Sequence, residues 1–337
     1  MVVFATPFPP MDAIMPSKLL MTLVRRCTMK VAVVGAGSMG SLFGGLLAAS
    51  GEDVTLVDVW WEHVEAINAE GLKIGSYEGS RTISVKATTD PSSVGSVDLI
   101  IIFVKSYDTL EATKDALPMV SEGTVFLSLQ NGLGNLEKIS GAAGGDRVIP
   151  GTTAQGCTLI GPGEIFHAGK GLTVIGEPSG RVTERALAIR DALNGAGIRT
   201  EISDAIYGAL WSKVLVNVAI NPLTALTGLR NGELLDHPGM VKVMKRAVKE
   251  AINVAEALDV DLGRGDHVEK VYEVARVTAS NRSSMLQDIE RGRRTEIDAL
   301  NGAIVALARR LGLDVPVNET LTATVKGLEA VRLGRTQ

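Results

Sequence analysis

Two cysteines, Cys27 and Cys157, in 337 residues cannot build a disulfide framework. The four histidines (His63, His167, His237, His267) are scattered, and neither set shows zinc-ligand spacing. The expectation is a chain without a metal site, suited to a reducing cytoplasm. No sign of charge dominates: 34 Lys and Arg face 38 Asp and Glu, for a formal net charge of −4, which leaves no basic footprint for nucleic acid. Long apolar runs are missing too. Val31 to Gly51 is free of charge, but glycines at 35, 37, 40, 44, 45 and 51 interrupt it, and Leu99 to Val104 has only strand length, so no membrane span is expected. Aromatics make up 4%. Apolar residues (45%) and the 37 glycines are plentiful, which suits α/β packing in one large domain or two ordinary ones.

Residues 1–28 hold Lys18, Arg25 and Arg26 against the single acid Asp12, with prolines at 7, 9, 10 and 16. They lack a basic segment followed by an apolar one, so they read as a disordered N-terminal extension rather than a signal peptide; an amphipathic transit peptide is the alternative. Structure is expected from Met29. Lys30 to Val34 is a β-rich run leading into Gly35-Ala36-Gly37-Ser38-Met39-Gly40. Leu42, Phe43, Leu46 and Leu47 then recur at helical spacing, and Asp53 to Asp58 is a second strand. Strand, glycine turn, helix, strand is a βαβ unit of the dinucleotide-binding kind.

Strands at Val97–Val104 and Thr124–Leu129, with a helix near Thr109–Leu117, continue a parallel sheet covered on both faces. Between Gly151 and Ile175, short β-type runs separated by Gly161-Pro162-Gly163 and Gly169-Lys170-Gly171 suggest an antiparallel extension of that sheet. A helix near Arg181–Asn194 and a strand near Arg199–Ile202 would finish it. Residues 203–333 read as helical, with core stripes Val241, Met244, Val248, Ile252, Ala255 and Ile297, Leu300, Ile304, Leu307, Leu311, and Gly312 as a cap. The expected architecture is a Rossmann-type doubly wound domain over 29–202 and an all-helical domain over 203–333, with a ligand cleft between them.

Each glycine of the turn has a mechanical reason. The first permits the bend, the second lets backbone approach a pyrophosphate, and the third lets helix and strand pack closely. Asp58, 18 residues past Gly40, can accept hydrogen bonds from a ribose diol and repel a 2′-phosphate. Val59, Trp60, Trp61 and Glu62 follow, with no cation among them, so the residues favour NAD(H) over NADP(H). Lys105 and Asn131 lie past apolar strands, where open α/β sheets bind ligands, although a plain charged strand end and a plain Asn-Gly turn fit equally.

Lys213, Asn217 and Asn221 recur at i, i+4 and i+8 on an otherwise apolar helix. An amine and two amides in line are costly to bury unpaired and ask for a polar ligand or a satisfied network. Pro222 is expected to end or kink that helix just after Asn221. Ser284 and Glu296 offer a hydroxyl and a carboxylate, or simply a Ser-rich turn and an acidic first turn.

The phrases LWSKVLVNVAINPLTAL, NGEL (Asn231 to Leu234), SSMLQD and TEIDALNG resemble the ketopantoate reductases, the 2-dehydropantoate 2-reductases, from Lys30 to about Arg332. The resemblance implies that Lys213 donates a proton to a keto oxygen. It implies that Asn217, Asn221, Asn231 and Ser284 hold the substrate, with Asn131 near it, and that Lys105, Asn131 and Glu296 contact the cofactor or complete the site. A backbone contact to the cofactor would fall near Cys157. Many members use NADPH with an arginine after the second strand, where this chain has Val59. The function that the resemblance implies is hydride transfer from NAD(P)H to the C2 carbonyl of ketopantoate, a branched 2-oxo acid of pantothenate biosynthesis.

An NAD-dependent D-2-hydroxyacid dehydrogenase on the same scaffold is the alternative, supported by Asp58. β-Hydroxyacid dehydrogenases share the Lys and Asn spacing but generally lack SSMLQD and the third amide. A non-catalytic dinucleotide sensor would need no Lys213. Oligomeric state stays open, with a homodimer as one option.

Overall fold

The computed structural model describes residues 28–334, so the expectation for residues 1–28 lies, but for Thr28, outside the described residues, as does Cys27. β1 (Lys30–Val34) enters α1 (Ser38–Ala49), which returns through β2 (Asp53–Val57). α2 (Trp61–Glu70) follows, then three strands that the sequence did not announce: β3 (Leu72–Ser76), β4 (Gly79–Ile83) and β5 (Lys86–Thr88). β6 (Leu99–Ile102), α3 (Thr109–Ala116), β7 (Val125–Ser128), α4 (Asn135–Ala143) and β8 (Val148–Thr153) continue the alternation. β9 (Gly156–Gly161), β10 (Glu164–Gly169), β11 (Thr173–Ile175), α5 (Glu184–Gly195) and β12 (Thr200–Ile202) complete the α/β part.

The main sheet has the order β12-β11-β8-β7-β6-β1-β2-β5. The six strands from β5 to β8 are parallel, β11 runs antiparallel to β8, and β12 is parallel to β11. Residues 31–34 and all of β6 and β7 are buried, because helices cover the sheet and leave no polar face to alternate.

The expected antiparallel extension is corrected here. Only β11 adds antiparallel to the main sheet, while β9 and β10 join β3 and β4 in a separate four-stranded sheet of order β4-β3-β10-β9. α1 touches both sheets, which explains its lack of charge: Leu42, Phe43 and Leu47 are fully buried, each side chain contributing about 1.5–3 kcal/mol. The glycines of α1 allow that double contact, since a Cβ on Gly44 would meet Leu56 and one on Gly45 would meet Leu72.

The helical part comprises α6 (Ile206–Thr227), α7 (Pro238–Ala257), α8 (His267–Val277), α9 (Ser284–Glu290), α10 (Asn301–Leu311) and α11 (Pro316–Arg332). α6 runs through its core and touches α7, α8, α9 and α11. It is long and apolar enough by itself to cross a membrane, but 61% of that window is buried inside the protein. Of the two outcomes expected at Pro222, an end or a kink, the first is corrected: Pro222 lies inside α6 and does not end it. The second apolar stripe is also split, because Ile297–Ala299 form a 3-10 turn and α10 begins only at Asn301.

Candidate active site

Val34, Val57, Ile102 and Ser128 stand in register across β1, β2, β6 and β7, and Pro150 of β8 pairs with Ser128. That row marks the carboxyl edge of the parallel strands, where the chain leaves the sheet and polar groups gather. Gly35 and Asp58 follow it by one residue, and Lys105, Asn131 and Thr153 by three. β1 lies between β2 and β6 in a doubly wound order, so this edge also holds the switch point at which such sheets open a crevice.

The glycine turn fits a pyrophosphate. Gly35 adopts φ +90 and a Cβ there would strike Val104, while a Cβ on Gly40 would lie 2.0 Å from the Gly35 carbonyl oxygen. These two glycines are demanded by the protein's own packing. A Cβ on Gly37 would meet nothing within 4 Å, so the room beside Gly37 is free for a ligand. Gly37 is the N-cap of α1, with no side-chain cap and no acid in the first turn, which leaves the positive end of the helix for an anion.

Asp58 stands on the opposite side of β1. The Trp60 N–H donates to its Oδ1 at 2.9 Å, and the Gly35 N–H donates to the Val57 carbonyl, tying the turn to this strand end. Asp58 itself is half-buried, and the next residue, Val59, is 94% exposed.

Sequence reasoning missed His63, whose role depends on a turn 100 residues away. It is fully buried and stacks on Trp60 with centroids 5.3 Å apart. The Gly163 N–H donates to Nδ1, so the proton sits on Nε2, which donates to Ser41 Oγ; that hydroxyl donates to the Ala36 carbonyl. Burial lowers the His63 pKa, against a smaller opposing pull from Asp58. A neutral imidazole thus braces the glycine turn against the turn between β9 and β10. Cys157 lies half-buried on β9 and packs on the core beneath α1; burial pushes its thiol up to about 12, so it is an inert thiol.

The helical part meets this edge from the other side. Lys105 Nζ donates to Asp288 Oδ2 at 2.6 Å and lies 3.8 Å from Glu296 Oε2. Burial alone would lower the Lys105 pKa, but Glu296 and Asp288 together raise it. Glu296 is buried and its Oε1 accepts the Ser106 N–H at 2.9 Å. Leu133, two residues past Asn131, donates its N–H to the Ala299 carbonyl. Lys105, Glu296 and the Asn131 turn are therefore brought together. Asp288 joins them from 183 residues away in sequence, a partnership with no local signal.

Lys213 projects from α6 to the end of β8, where its ammonium donates to the Thr153 carbonyl at 2.7 Å. Burial lowers its pKa to about 8, with the Glu296 carboxylate pulling the other way. Asn217 is half-buried and Asn221 buried on the same row of α6, and neither side-chain amide bonds to another group among the described residues. Asn231 is buried; its Nδ2 donates to Thr278 Oγ1 while its Oδ1 has no partner among the described residues. Ser284 is exposed at the start of α9, and its neighbour Ser283 is the one engaged internally, capping α9 and bonding Thr224.

An amine titrating near neutrality, free amides in line with it and a dinucleotide-shaped turn on one sheet edge make a site for proton-coupled reduction. Known proteins match along nearly the whole chain. A 2-dehydropantoate 2-reductase of Halobacterium salinarum is 41% identical over 299 residues, covering 88% of this chain and 98% of the relative. A ketopantoate reductase of Ralstonia eutropha superposes with a TM-score of 0.84 at 36% identity, over 90% of this chain and 99% of that one. A D-mandelate dehydrogenase in complex with NADH and anilino(oxo)acetate reaches 0.83 at 29% identity, with 90% and 99% covered. The models of ketopantoate reductase PanE/ApbA and of its C-terminal part match residues 31–180 and 205–329. With both parts matched in order along the chain, the chain belongs to the ketopantoate reductase family.

Proposed function

We propose that this protein is a 2-dehydropantoate 2-reductase that reduces the C2 carbonyl of ketopantoate. The observation that carries the reading is Lys213 at the carboxyl end of β8, with its pKa lowered to about 8 and the amides of Asn217 and Asn221 in line behind it.

The cofactor is of the NAD(P) class. Gly35 to Gly40 and the first turn of α1 would hold its pyrophosphate, Asp58 its adenosine ribose, and Lys105, Asn131, Glu296 and the backbone at Cys157 its nicotinamide side. When bound, it supplies the hydride. Asn217, Asn221, Asn231 and Ser284 would bind the oxo acid and fix its carbonyl, converting an encounter into an aligned reaction. Asn131 would close the site from the sheet side. The Lys213 ammonium would place positive charge beside the carbonyl oxygen as negative charge develops there, then pass its proton to that oxygen, leaving a neutral amine and a hydroxyl. Glu296 would hold Lys213 protonated in a site whose burial disfavours the ammonium.

Asp58 with exposed Val59 supports NADH as the preferred dinucleotide and favours a second reading, an NAD-dependent D-2-hydroxyacid dehydrogenase. A turnover panel of ketopantoate and 2-oxo-2-phenylacetate, each with NADH and NADPH, decides. Ketopantoate should give the highest kcat/KM. Preference for the phenyl acid would replace the first reading with the second. The reading sets the enzyme in a cytoplasmic biosynthetic role without nucleic-acid or membrane partners.

A further inference from the structure

Pro222 has no N–H, so the Val218 carbonyl one turn earlier has no donor within its own helix. That turn is the one separating Asn217 from Asn221. The missing donor is supplied from another element. Asn301, fully buried at the start of α10, donates from Nδ2 to the Val218 carbonyl at 3.0 Å. Its second N–H goes to Asn318 Oδ1 at 3.0 Å, and Asn318 is in turn fixed by the Ala247 carbonyl and Glu250 on α7. The Asn301 oxygen is buried with no partner among the described residues, so the side chain acts through its two donors.

Asn301 is also five residues past Glu296, whose carboxylate is tied to Ser106 beyond β6. The short segment between them includes the 3-10 turn Ile297–Ala299 and is therefore bonded at one end to the sheet edge and at the other to α6.

We propose that Asn301 is a positioning residue: its amide replaces the main-chain donor that Pro222 lacks and thereby sets the Asn217–Asn221 turn of α6 relative to Glu296. The proposal rests on the reading of Asn217 and Asn221 as substrate-binding groups. It predicts that Pro222 and Asn301 act as one unit, since a residue with an N–H at 222 would satisfy Val218 without help.

The test is a cycle of four proteins: wild type, Asn301→Ala, Pro222→Ala and the double variant. Asn301→Ala should lower kcat/KM for ketopantoate by at least about tenfold, mostly through KM, because misplacing bound groups by a fraction of their length costs that much. Dinucleotide affinity, read by fluorescence titration, should stay within about twofold, since the Asn301 side chain bonds only Val218 and Asn318 among the described residues and none of the dinucleotide-binding groups. In the Pro222→Ala background the same Asn301→Ala change should cost no more than about threefold, the mark of a coupled pair. Equal losses in both backgrounds, or a parallel loss of dinucleotide affinity, would overturn the proposal. If Asn301→Ala alone fails to fold and the double variant folds, the pairing is upheld. If neither folds, Asn301 serves the fold through Asn318 and the proposal falls. If the wild type reduces no oxo acid, the functional reading fails separately, and non-additive melting temperatures of the four proteins still decide the Pro222–Asn301 pairing.

Discussion

A lysine with a pKa of about 8 works as an acid over a narrow range, and the pH profile should show it. At pH 7 about nine-tenths of Lys213 carries the proton, and at pH 9 about one-tenth. Reductive kcat/KM should therefore be level below pH 7 and fall about tenfold per unit above pH 8. Glu296 holds the ammonium form up, so Glu296→Gln should move the descending limb to lower pH, besides lowering the rate. The same lysine is a burden on the fold. The unfolded chain keeps its proton up to about 10.5 and the folded chain only to about 8, so the cost is full below about pH 8 and disappears as pH rises through about 10.5. A shift from 10.5 to about 8 corresponds to roughly 3 kcal/mol as an upper bound. Lys213→Met recovers only part of it, because Lys213 is partly exposed and the Thr153 carbonyl loses its donor. The expected gain of about 1 kcal/mol should raise Tm by roughly 1–2 °C at pH 7 while kcat drops about a hundredfold or more. Stopped-flow or steady-state rates from pH 6 to 10 and scanning fluorimetry read both effects. A rate that stays flat to pH 10, or a Lys213→Met protein with near wild-type kcat, would remove Lys213 from the proton transfer.

Three further outcomes are expected. NADH should exceed NADPH by at least about tenfold in kcat/KM, Asp58→Ala should narrow the gap, and Val59→Arg should reverse it by placing a guanidinium next to Asp58; an NADPH preference in the wild type would refute the role of Asp58. Gly37→Ala should fold normally yet bind dinucleotide at least about tenfold more weakly by isothermal titration, whereas Gly40→Ala should fail to give soluble protein; equal behaviour of the two would contradict the open space beside Gly37. Because the His63 pKa is lowered on folding, the unfolded chain takes up this proton first, so stability should fall as pH drops below about 6.5, and urea melts of His63→Gln should lack that component.

The βαβ opening was legible because its signals are local: an apolar run, glycines at fixed offsets and an acid at the next strand end lie within 30 residues. The Lys213, Asn217, Asn221 row was legible for the same reason, since helical periodicity alone places them together on α6. What was not legible depends on partners distant in sequence. β9 and β10 read as strands, but nothing local tells a strand whether to join the main sheet or to pair with β3, some 90 residues earlier. β4 and β5 are short and mostly polar or exposed, as in Gly79 to Thr82, and the alternation in β3, with Leu72 and Ile74 buried around an exposed Lys73, spans only three residues. Pro222 is expected from sequence to end or kink the helix because the rule for proline assumes no outside donor, and Asn301 supplies one that lets α6 continue. Asp288 and His63 likewise acquire their roles only when the chain has folded.

The contact between Lys213 and the Thr153 carbonyl bears on how this protein can be recombined. It joins a side chain of the helical lobe to a main-chain atom of the sheet lobe, and main-chain atoms are supplied by any sequence that keeps the strand. A chimera that takes residues up to about Ser203 from one relative and the remainder from another would thus recreate the seat of the Lys213 ammonium without matched side chains. Dinucleotide choice would travel with the first segment, carrying Asp58 and Val59, and oxo-acid choice with the second, carrying Asn217, Asn221 and Asn231. The matched side chains that such a swap must preserve are Lys105 with Asp288 and Glu296, and Tyr107 beneath the Arg294 guanidinium, each pair drawing one residue from each parent. Lobe exchange that keeps these pairs offers a route to new cofactor and substrate combinations.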